Sequence, residues 1–285
     1  MIRFVTINFN KSKLTHALVE QVASFRIPSA ITVYDNSGEY VPVGIESVIR
    51  NSENMGIGPI WHKEITSCSD QDVLILANND IVLDDHFFET LTVLDISNAV
   101  CAPVIFDVQG KIWSAGGNFH FFPIWRVTHH EQPINVVSRS SHLSGCVLVI
   151  VKIPHDARRA LAENLERYCF RGEEWQLARN ASNSAIDLLL IPELKVTHFE
   201  NGSHDRFSPE HIYFAFRAKI QFIKINSSAL LYVLNLLSYI CYIYLAGAFF
   251  YQRNSKLPFL KVIQLFNAAQ RHSSYPTIKF SDYID

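Results

Sequence analysis

Short apolar runs alternate with segments of helical periodicity over the first eighty residues. Residues 2–9 are mostly β-branched and aromatic, which predicts a strand, and residues 12–25 carry apolar side chains at helical spacing. The run DVLILA at residues 72–77 predicts a buried strand. Strands that alternate with helices favour βαβ units around a parallel sheet, and continuous apolar strands suit a sheet covered on both faces. We therefore predict an α/β fold.

The rest of the chain continues this mixture with looser spacing. Further strands are predicted at residues 30–34, 47–51, 99–106, 143–151 and 185–192. Helices are predicted at residues 58–67, 156–169, 173–180 and 208–225, the last with a proline in its first turn. The glycine- and aromatic-rich stretch before residue 143 predicts loops or a hairpin.

A segment without charged residues, 225–252, sets the C-terminal part apart. Its 28 residues exceed the roughly twenty that span a bilayer, but its five tyrosines suit a membrane interface better. Basic residues flank both ends, so the charge pattern gives no orientation. Three interpretations are open: in-plane or shallow membrane attachment, a membrane span, and a helix buried in the core or between subunits. We divide the chain into a domain at residues 1–225 and a helical, membrane-associating region at 226–285.

Composition narrows the class of protein. Aromatic residues make up 12% of the chain, which excludes low-complexity disorder. The 25 Lys and Arg against 27 Asp and Glu leave no basic excess for binding nucleic acid. No two of the five cysteines form a C-x-x-C motif, and the N-terminal run lacks the long apolar core of a signal peptide. We therefore expect reduced thiols in a cytoplasmic protein.

Two turns near predicted strands could bind a nucleotide. Asp35 ends the second strand, at the edge where open α/β sheets bind ligands, and its carboxylate could accept a hydrogen bond from a base or ribose. Asn54 and Gly56 precede a predicted helix, where backbone amides can approach a phosphate. Each pattern is also typical of a plain turn, so neither identifies a site by itself.

Acidic residues and a histidine could supply metal binding and acid–base chemistry. Asp80 follows the strand at 72–77 and suits a hard divalent cation. Glu173 and Glu174 begin a predicted helix, where one could be a general base or both could complement the helix N-terminus. His198 is a candidate metal ligand, although a lone histidine is more often structural.

The order and spacing of these segments resemble family 2 inverting glycosyltransferases, most closely the bacterial branch with rhamnosyltransferases of surface-polysaccharide assembly. The matching runs, over about residues 1–225, are VTINFN, VYDNSG, NMGIG, ILANNDIVLD, SGCVLVIVK, GEEWQLARNA and HFENGS. The resemblance implies a GT-A fold, Mg²⁺ or Mn²⁺, and a nucleotide-diphospho-sugar donor, with dTDP-rhamnose expected first and UDP-hexoses next. It also implies a hydroxyl acceptor on a glycan or lipid-linked sugar, and we expect a peripheral enzyme at the inner face of the cell membrane, which could form homo-oligomers.

The resemblance also implies roles for individual residues. Asp80 and His198 would hold the metal ion, and Glu174, preceded by Glu173, would be the base in place of the family's usual aspartate. The expected acceptor-side residues are Gly145 and Trp175. The expected donor-binding residues are Thr6, Asn8, Asp35, Asn54, Gly56, Asn78, Asn79 and Arg217.

Two positions depart from the family pattern. Asn78 stands where many relatives carry aspartate, and Gln176 stands where an aspartate often follows the base pair. These departures leave open a glycosyltransferase-like protein that binds sugar nucleotides or partner enzymes without turnover. A sugar-nucleotide pyrophosphorylase would need a glycine-rich basic loop, which residues 8–11 do not provide. A dinucleotide-dependent dehydrogenase would need a glycine fingerprint that is absent from the sequence.

Overall fold

A computed structural model describes most of the chain. The described residues are 1–25, 27, 29–120, 126–130, 135–199, 208–255 and 257–272. Parts of the sequence-based predictions lie outside them: residues 121–125 and 131–134 of the stretch before residue 143, residues 200–203 of the HFENGS run, and residues 256 and 273–285 of the C-terminal region.

A ten-stranded mixed sheet forms the centre of the fold. Its strands are β1 (Ile2–Asn8), β2 (Ser29–Asp35), β3 (Ser47–Arg50), β4 (Val73–Ala77), β5 (Ile81–Leu83), β6 (Ala99–Phe106), β7 (Ile112–Ser114), β10 (Ser138–Arg139), β11 (Val147–Val151) and β12 (Asp187–His198). Eight of them follow the order β10-β12-β6-β11-β4-β1-β2-β3, with β5 paired to β12 and β7 to β6. A separate hairpin joins β8 (Gly117–His120) to β9 (Arg126–His129).

Most strands of the sheet run in one direction. β1 lies between β2 and β4 and is parallel to both, β3 continues this parallel set, and β6 is parallel to β12. β11 is antiparallel to its neighbours β4 and β6. The predicted α/β class with a mostly parallel sheet is confirmed.

Helices cover both faces of this sheet. They are α1 (Ser12–Ser24), α2 (Gly58–Ser67), α3 (Phe87–Val93), α4 (His155–Ala162) and α5 (Glu173–Asn183). Along β4, Ile75 joins a core with α1 and α3, whereas Leu74 and Leu76 join a second core with α2, α4 and α5. The apolar run in β4 is therefore continuous because successive side chains fill opposite cores.

Several predicted boundaries were wrong. The helix expected at 156–169 ends at Ala162, because Asn164 adopts a left-handed backbone with φ +63° before a short 3-10 turn at Leu165–Arg167. The strand expected at 143–151 begins only at Val147, and β12 continues past 192 to His198. The strand β5 was not predicted.

The C-terminal region is helical as far as it is described, as predicted. It contains α6 (Pro209–Asn226), α7 (Ala229–Tyr242), a π-helical turn (Ile243–Gly247), α8 (Ala248–Ser255) and α9 (Phe259–His272). Side chains from α6, α7 and α9 form a third core with Tyr168 and Cys169, which precede α5. Among the described residues, no helix is both long enough and apolar enough to cross a membrane.

Candidate active site at the carboxyl edge of the sheet

The carboxyl ends of the parallel strands bring most predicted site residues to one edge. Asn8 and Asp35 are opposite each other at the ends of β1 and β2, and Thr6 is opposite Ala77 at the end of β4. The turn that carries Asn78 follows Ala77 directly. Open α/β sheets bind ligands at this edge, as the sequence analysis expected.

Asp35 shapes the turn that follows β2. Its Oδ1 accepts hydrogen bonds from the backbone amides of Ser37 and Gly38, and its Oδ2 accepts one from the amide of Tyr40 at 3.0 Å. Burial by itself would raise the pKa of Asp35, but these bonds and one from Asn8 outweigh it and lower that pKa. Asp35 is fully buried and ionised, and it fixes the loop beside the expected nucleobase position.

A chain of buried hydrogen bonds ties this turn to the turn after β4. Asn79 Nδ2 donates to Thr15 Oγ1 at 2.9 Å, and Thr15 Oγ1 donates to Asn8 Oδ1 at 2.9 Å. Asn8 Nδ2 then donates to Asp35 Oδ1 at 3.1 Å. Asn8 and Asn79 were expected to contact donor, and in the structure their side chains support the pocket edge. Thr15 was missed because it belongs to the α1 pattern and adjoins no motif.

Gly56 is needed for contact between two loops. It has φ +78°, and a Cβ added to it would lie 1.9 Å from the backbone oxygen of Cys169. Next to it, the amide of Ile57 donates to that same oxygen at 2.7 Å. Asn54 Oδ1 accepts a hydrogen bond from the amide of Gly56, which closes the turn. The glycine therefore brings this turn against the segment that leads to α5, a role that the diphosphate expectation had not included.

Asp80 and His198 meet although 117 residues separate them in the chain. β5 starts at Ile81 and pairs antiparallel with β12, with Ile81 opposite His198. Asp80 Oδ1 lies 3.3 Å from His198 Nε2, and both residues are buried. Among the described residues, neither Asp80 Oδ1 nor His198 Nδ1 has a hydrogen-bond partner.

The geometry of this pair fits a divalent cation. Two ligands in adjacent octahedral positions, each about 2.1 Å from Mg²⁺, are separated by about 3 Å. The observed separation of 3.3 Å is close to that value. The described part of the chain holds no cluster of three or more His, Cys, Asp or Glu side chains suited to a metal. Phosphate oxygens and water, which Mg²⁺ commonly retains, could complete the coordination.

Glu173 and Glu174 start helix α5 at the same edge. Gly172, with φ +90°, turns the chain into the helix. A Cβ added to Gly145 would lie 3.4 Å from Glu174 Cβ and 3.0 Å from the Trp61 ring. The lack of a side chain at Gly145 therefore lets both residues pack close to its backbone. Cys146 follows Gly145, and its backbone carbonyl accepts a hydrogen bond from the amide of Asn78 at 2.9 Å. The candidate base is thus one strand away from the turn that carries Asp80.

Burial raises the pKa of both glutamates. For Glu173 the neighbouring Glu174 charge adds to this effect, and for both the positive charge of Arg171 opposes it. Glu173 is only 5% exposed, and its Oε2 has no hydrogen-bond partner within the described ranges. Glu174 is more accessible, at intermediate exposure. A partly accessible carboxylate with a raised pKa is a stronger base than an ordinary glutamate.

Gln176 points into the protein. Its Oε1 accepts hydrogen bonds from Tyr168 Oη at 3.1 Å and Asn226 Nδ2 at 2.8 Å, and its Nε2 donates to Asn180 Oδ1 at 2.8 Å. At 1% exposure, Gln176 connects α5 to α6 and to the segment before α5. Its side chain thus has a structural role that the sequence comparison with aspartate had not suggested.

Trp175 on α5 and Arg217 on α6 lie near the contact between these two helices. Arg217, on α6, is 2% exposed, and its charge lowers the pKa of Tyr168 against the larger, raising effect of burial. The charges of Glu173 and Glu174 raise that same pKa, which places all three charged groups near one hydroxyl. Trp175 packs edge-on against Phe222, with ring centroids 6.2 Å apart.

A cavity of about 220 Å³ begins one helical turn beyond Glu174. Ala178 and Ser182 of α5 line one side, and the rings of Phe119 and Phe222, stacked at 5.5 Å, line another. Its rim carries an ion pair at 3.0 Å between Arg139 and Asp187. Aromatic walls with a few polar groups are typical of small-molecule sites. The position suits the acceptor side, because Trp175 contacts the same Phe222 ring.

Comparisons with known proteins identify the fold. No protein-family model matches the sequence, and no curated protein is similar to it. The fold is similar to GalNAc-T7 with UDP, GalNAc and Mn²⁺ (TM-score 0.56, 15% identity, 97% of this chain covered). It is also similar to S. aureus TarS 1-349, with TM-score 0.54 and 11% identity over 96% of this chain and 81% of that one. The chain spans 58% of the length of the GalNAc-T7 chain. The protein therefore has the GT-A fold of these glycosyltransferases.

Proposed function

We propose that the protein is an inverting glycosyltransferase that moves a sugar from a nucleotide diphosphate to a hydroxyl acceptor. One observation carries the proposal: on a GT-A fold, the Asp80–His198 pair and the partly buried Glu174 lie at the same sheet edge. A metal-binding pair and a base at neighbouring strand ends are the two parts that glycosyl transfer from a diphosphate requires.

Glu174 would act as the base. Its carboxylate takes the proton of the acceptor hydroxyl, the hydroxyl oxygen bonds to the anomeric carbon, and the bond from that carbon to the diphosphate oxygen breaks. The raised pKa of Glu174 increases its affinity for the proton that it removes. A single carboxylate base fits displacement in one step with inversion.

Asp80 and His198 would hold Mg²⁺ or Mn²⁺. When bound, the ion would neutralise the negative charge that develops on the leaving diphosphate. The packing of Trp113 against the His198 ring, with ring centroids 4.9 Å apart, supports a fixed orientation of that ring beside Asp80. Because Asp80 and His198 are the two protein ligands that we propose among the described residues, we expect metal binding to be tight only together with donor.

The donor and acceptor follow from the sequence resemblance and the cavity. We expect a dTDP- or UDP-sugar, rhamnose being the first candidate, and we assign the acceptor to the side of Gly145 and Trp175. The cavity beside Phe222 would receive the glycan part of an acceptor. A lipid-linked acceptor in the synthesis of a bacterial surface polysaccharide would place the enzyme at the inner face of the membrane.

A second candidate is a protein that binds sugar nucleotides without turnover. Asn78 in place of aspartate favours it, and so does the lack, within the described ranges, of a cluster of three or more His, Cys, Asp or Glu side chains suited to a metal. The two candidates differ in the role of Glu174. A glycosyltransferase needs its carboxylate for turnover, whereas a binding protein does not.

Thermal unfolding and donor turnover together test the proposal. The purified chain is screened against dTDP-, UDP- and GDP-sugars with and without Mn²⁺, and hydrolysis of the stabilising donor is then measured as transfer to water. We expect a metal-dependent rise in melting temperature with one nucleotide class, because a ligand of the folded state stabilises it. Asp80→Ala should abolish this rise, whereas Asp84→Ala, one turn further along the chain, should keep it.

Substitution of the base separates the two candidates. Glu174→Gln should retain the donor-dependent rise and lose hydrolysis by about 10²-fold or more, the usual contribution of a general base. Glu193→Gln changes an exposed carboxylate and serves as the control. A wild-type protein that binds donor but never turns it over would favour the binding protein, and full hydrolysis in Glu174→Gln would refute the assigned base.

A further inference from the structure

Helix α7 has an inverted polarity. Its polar Asn235 is buried, together with Tyr239, whereas four of its five leucines are exposed. A surface helix of a water-soluble protein has the opposite arrangement, with its polar stripe toward solvent. The exposed apolar stripe continues through the π-helical turn into α8. We call this surface the α7–α8 face, formed by Leu230, Leu231, Val233, Leu234, Leu237, Tyr242, Tyr244, Leu245, Phe249 and Phe250.

The α7–α8 face is too apolar for ordinary exposed surface. Leu230 is 71% exposed, Leu245 is 78% exposed and Phe249 is 60% exposed. Ten such side chains, each contributing roughly 100 Å², amount to about 1,000 Å², and the largest apolar patch of a typical monomer is about 300–600 Å². A surface of this kind is normally covered in the functional state.

The stretch of sequence that carries the face has only basic charged residues. Residues 211–281 contain eight Lys and Arg and no Asp or Glu, whereas the remainder of the chain holds 17 Lys and Arg and all 27 Asp and Glu. Four of these basic residues, Lys224, Arg253, Lys261 and Arg271, are exposed in the structure. A binding partner that carries negative charge is therefore favoured at this face.

One side of α7 packs against the protein, so the helix lies along the molecular surface. Asn235 and Tyr239 are buried, and Tyr239 belongs to the third core with residues of α6 and α9. Tyr242 and Tyr244 are exposed at its C-terminal end, and tyrosine is enriched where bilayer and water meet. The helix therefore fits a position in the membrane plane.

A second copy of the chain fits this face poorly. In a two-fold symmetric contact, the same patch meets itself, so the basic residues of one copy would face those of the other. Like charges across an interface oppose association. An anionic lipid surface offers both an apolar layer and the complementary charge.

We propose that the α7–α8 face binds in plane to bilayers that contain anionic lipids, with exposed leucines and phenylalanines in the acyl boundary and basic residues at the headgroups. The inference does not rest on glycosyl transfer, because only the surface and its charge are used. Each basic residue near an anionic surface multiplies the partition coefficient by about five. Two or three engaged residues therefore give roughly 25- to 125-fold preference for anionic over neutral vesicles.

Vesicle flotation of the full chain tests this inference. The probes are phosphatidylcholine vesicles with and without phosphatidylglycerol, at low and high salt. We expect flotation with the anionic vesicles only, weakened by salt because exposed charges are screened. Failure to float with either vesicle, or equal flotation with both, would overturn the proposal.

Matched variants locate the contact. Leu230→Gln with Leu237→Gln should reduce flotation at least tenfold, and Val93→Gln, at an equally exposed valine on α3, should not. Arg253→Gln with Lys261→Gln should remove about 25-fold of the anionic preference, whereas Lys111→Gln with Lys195→Gln should not. Thermal unfolding checks that the variants fold, and hydrogen exchange of the wild type on vesicles gives an independent readout. Protection away from α7 and α8, or a dimer in solution that Leu230→Gln with Leu237→Gln dissociates, would refute lipid binding by this face.

Discussion

Replacing Glu173 by glutamine should stabilise the protein at neutral pH. Burial and the neighbouring Glu174 charge raise the pKa of Glu173 above its ordinary value of 4.5. The folded state therefore binds the proton of Glu173 more tightly than the unfolded chain does. Its contribution favours folding below pH 4.5 and is lost as the pH rises through the folded pKa, where the carboxylate becomes a burial penalty.

The size of this effect follows from the surroundings of the side chain. Glu173 is 5% exposed, and Oε2 lacks a hydrogen-bond partner in the described part of the chain. An unsatisfied buried polar group costs about 1–3 kcal/mol, and a charged one costs more. Glutamine keeps the shape and removes the charge, so we expect about 1–2 kcal/mol more unfolding free energy at pH 7, and roughly 2–5 °C in melting temperature.

Urea unfolding followed by tryptophan fluorescence measures this difference. The gain in Glu173→Gln should be present at pH 7 and should shrink to zero by about pH 4, since the carboxyl is then protonated in both states. Glu193→Gln, at an exposed position, should show no gain at either pH. A loss of stability in Glu173→Gln at pH 7, or a gain that does not change with pH, would show that the carboxylate is well solvated or ion-paired and would refute the reasoning. We also expect slower donor turnover in Glu173→Gln. This result would indicate that the buried carboxylate contributes to activity at a cost in folding free energy.

Three further outcomes are expected. Gly56→Ala should cost several kcal/mol or prevent folding, because its Cβ would lie 1.9 Å from the backbone oxygen of Cys169, whereas Gly38→Ala, with φ +74° and open space, should cost only about 1–2 kcal/mol in thermal unfolding. Gln176→Leu should lower the free energy of unfolding by about 2–4 kcal/mol in urea, since three hydrogen-bond partners lose their contact. A thiol reagent should label one cysteine rapidly in the native protein, Cys241, because the other four are buried, and Cys241→Ser should abolish that fast reaction.

The periodicity of the sequence was sufficient for the class of fold and for the strands that end at the site. Apolar runs such as the one in β4 can be recognised as strands from the sequence, because helices cover both faces of the sheet and every side chain of the strand is apolar. Short elements were missed: β5 has three residues and pairs with a strand more than one hundred positions away. That pairing brings Asp80 to His198, so their proximity could be expected only from the family resemblance and not from spacing.

The roles of polar site residues were harder to predict. Gln176 has the same sequence neighbours whether it faces an acceptor or the core, and only the packing of α6 against α5 decides which. Thr15 lies on the buried face of α1, where a threonine gives no sign that its hydroxyl links two asparagines. Gly56 was noticed for its freedom near a phosphate, but its close neighbour is the backbone of Cys169.

Under the proposed function, the hydrogen-bond chain from Asn79 through Thr15 and Asn8 to Asp35 bears on the rate at which a nucleotide-sugar donor would bind. Since buried protein groups already hold both turns, one wall of the pocket is in its final shape before any ligand arrives. A preformed wall can accept a nucleotide at each well-oriented collision, without waiting for a loop to order. Donor association should then be a single fast phase that is linear in donor concentration, and differences in affinity among nucleotides should reside in their dissociation rates.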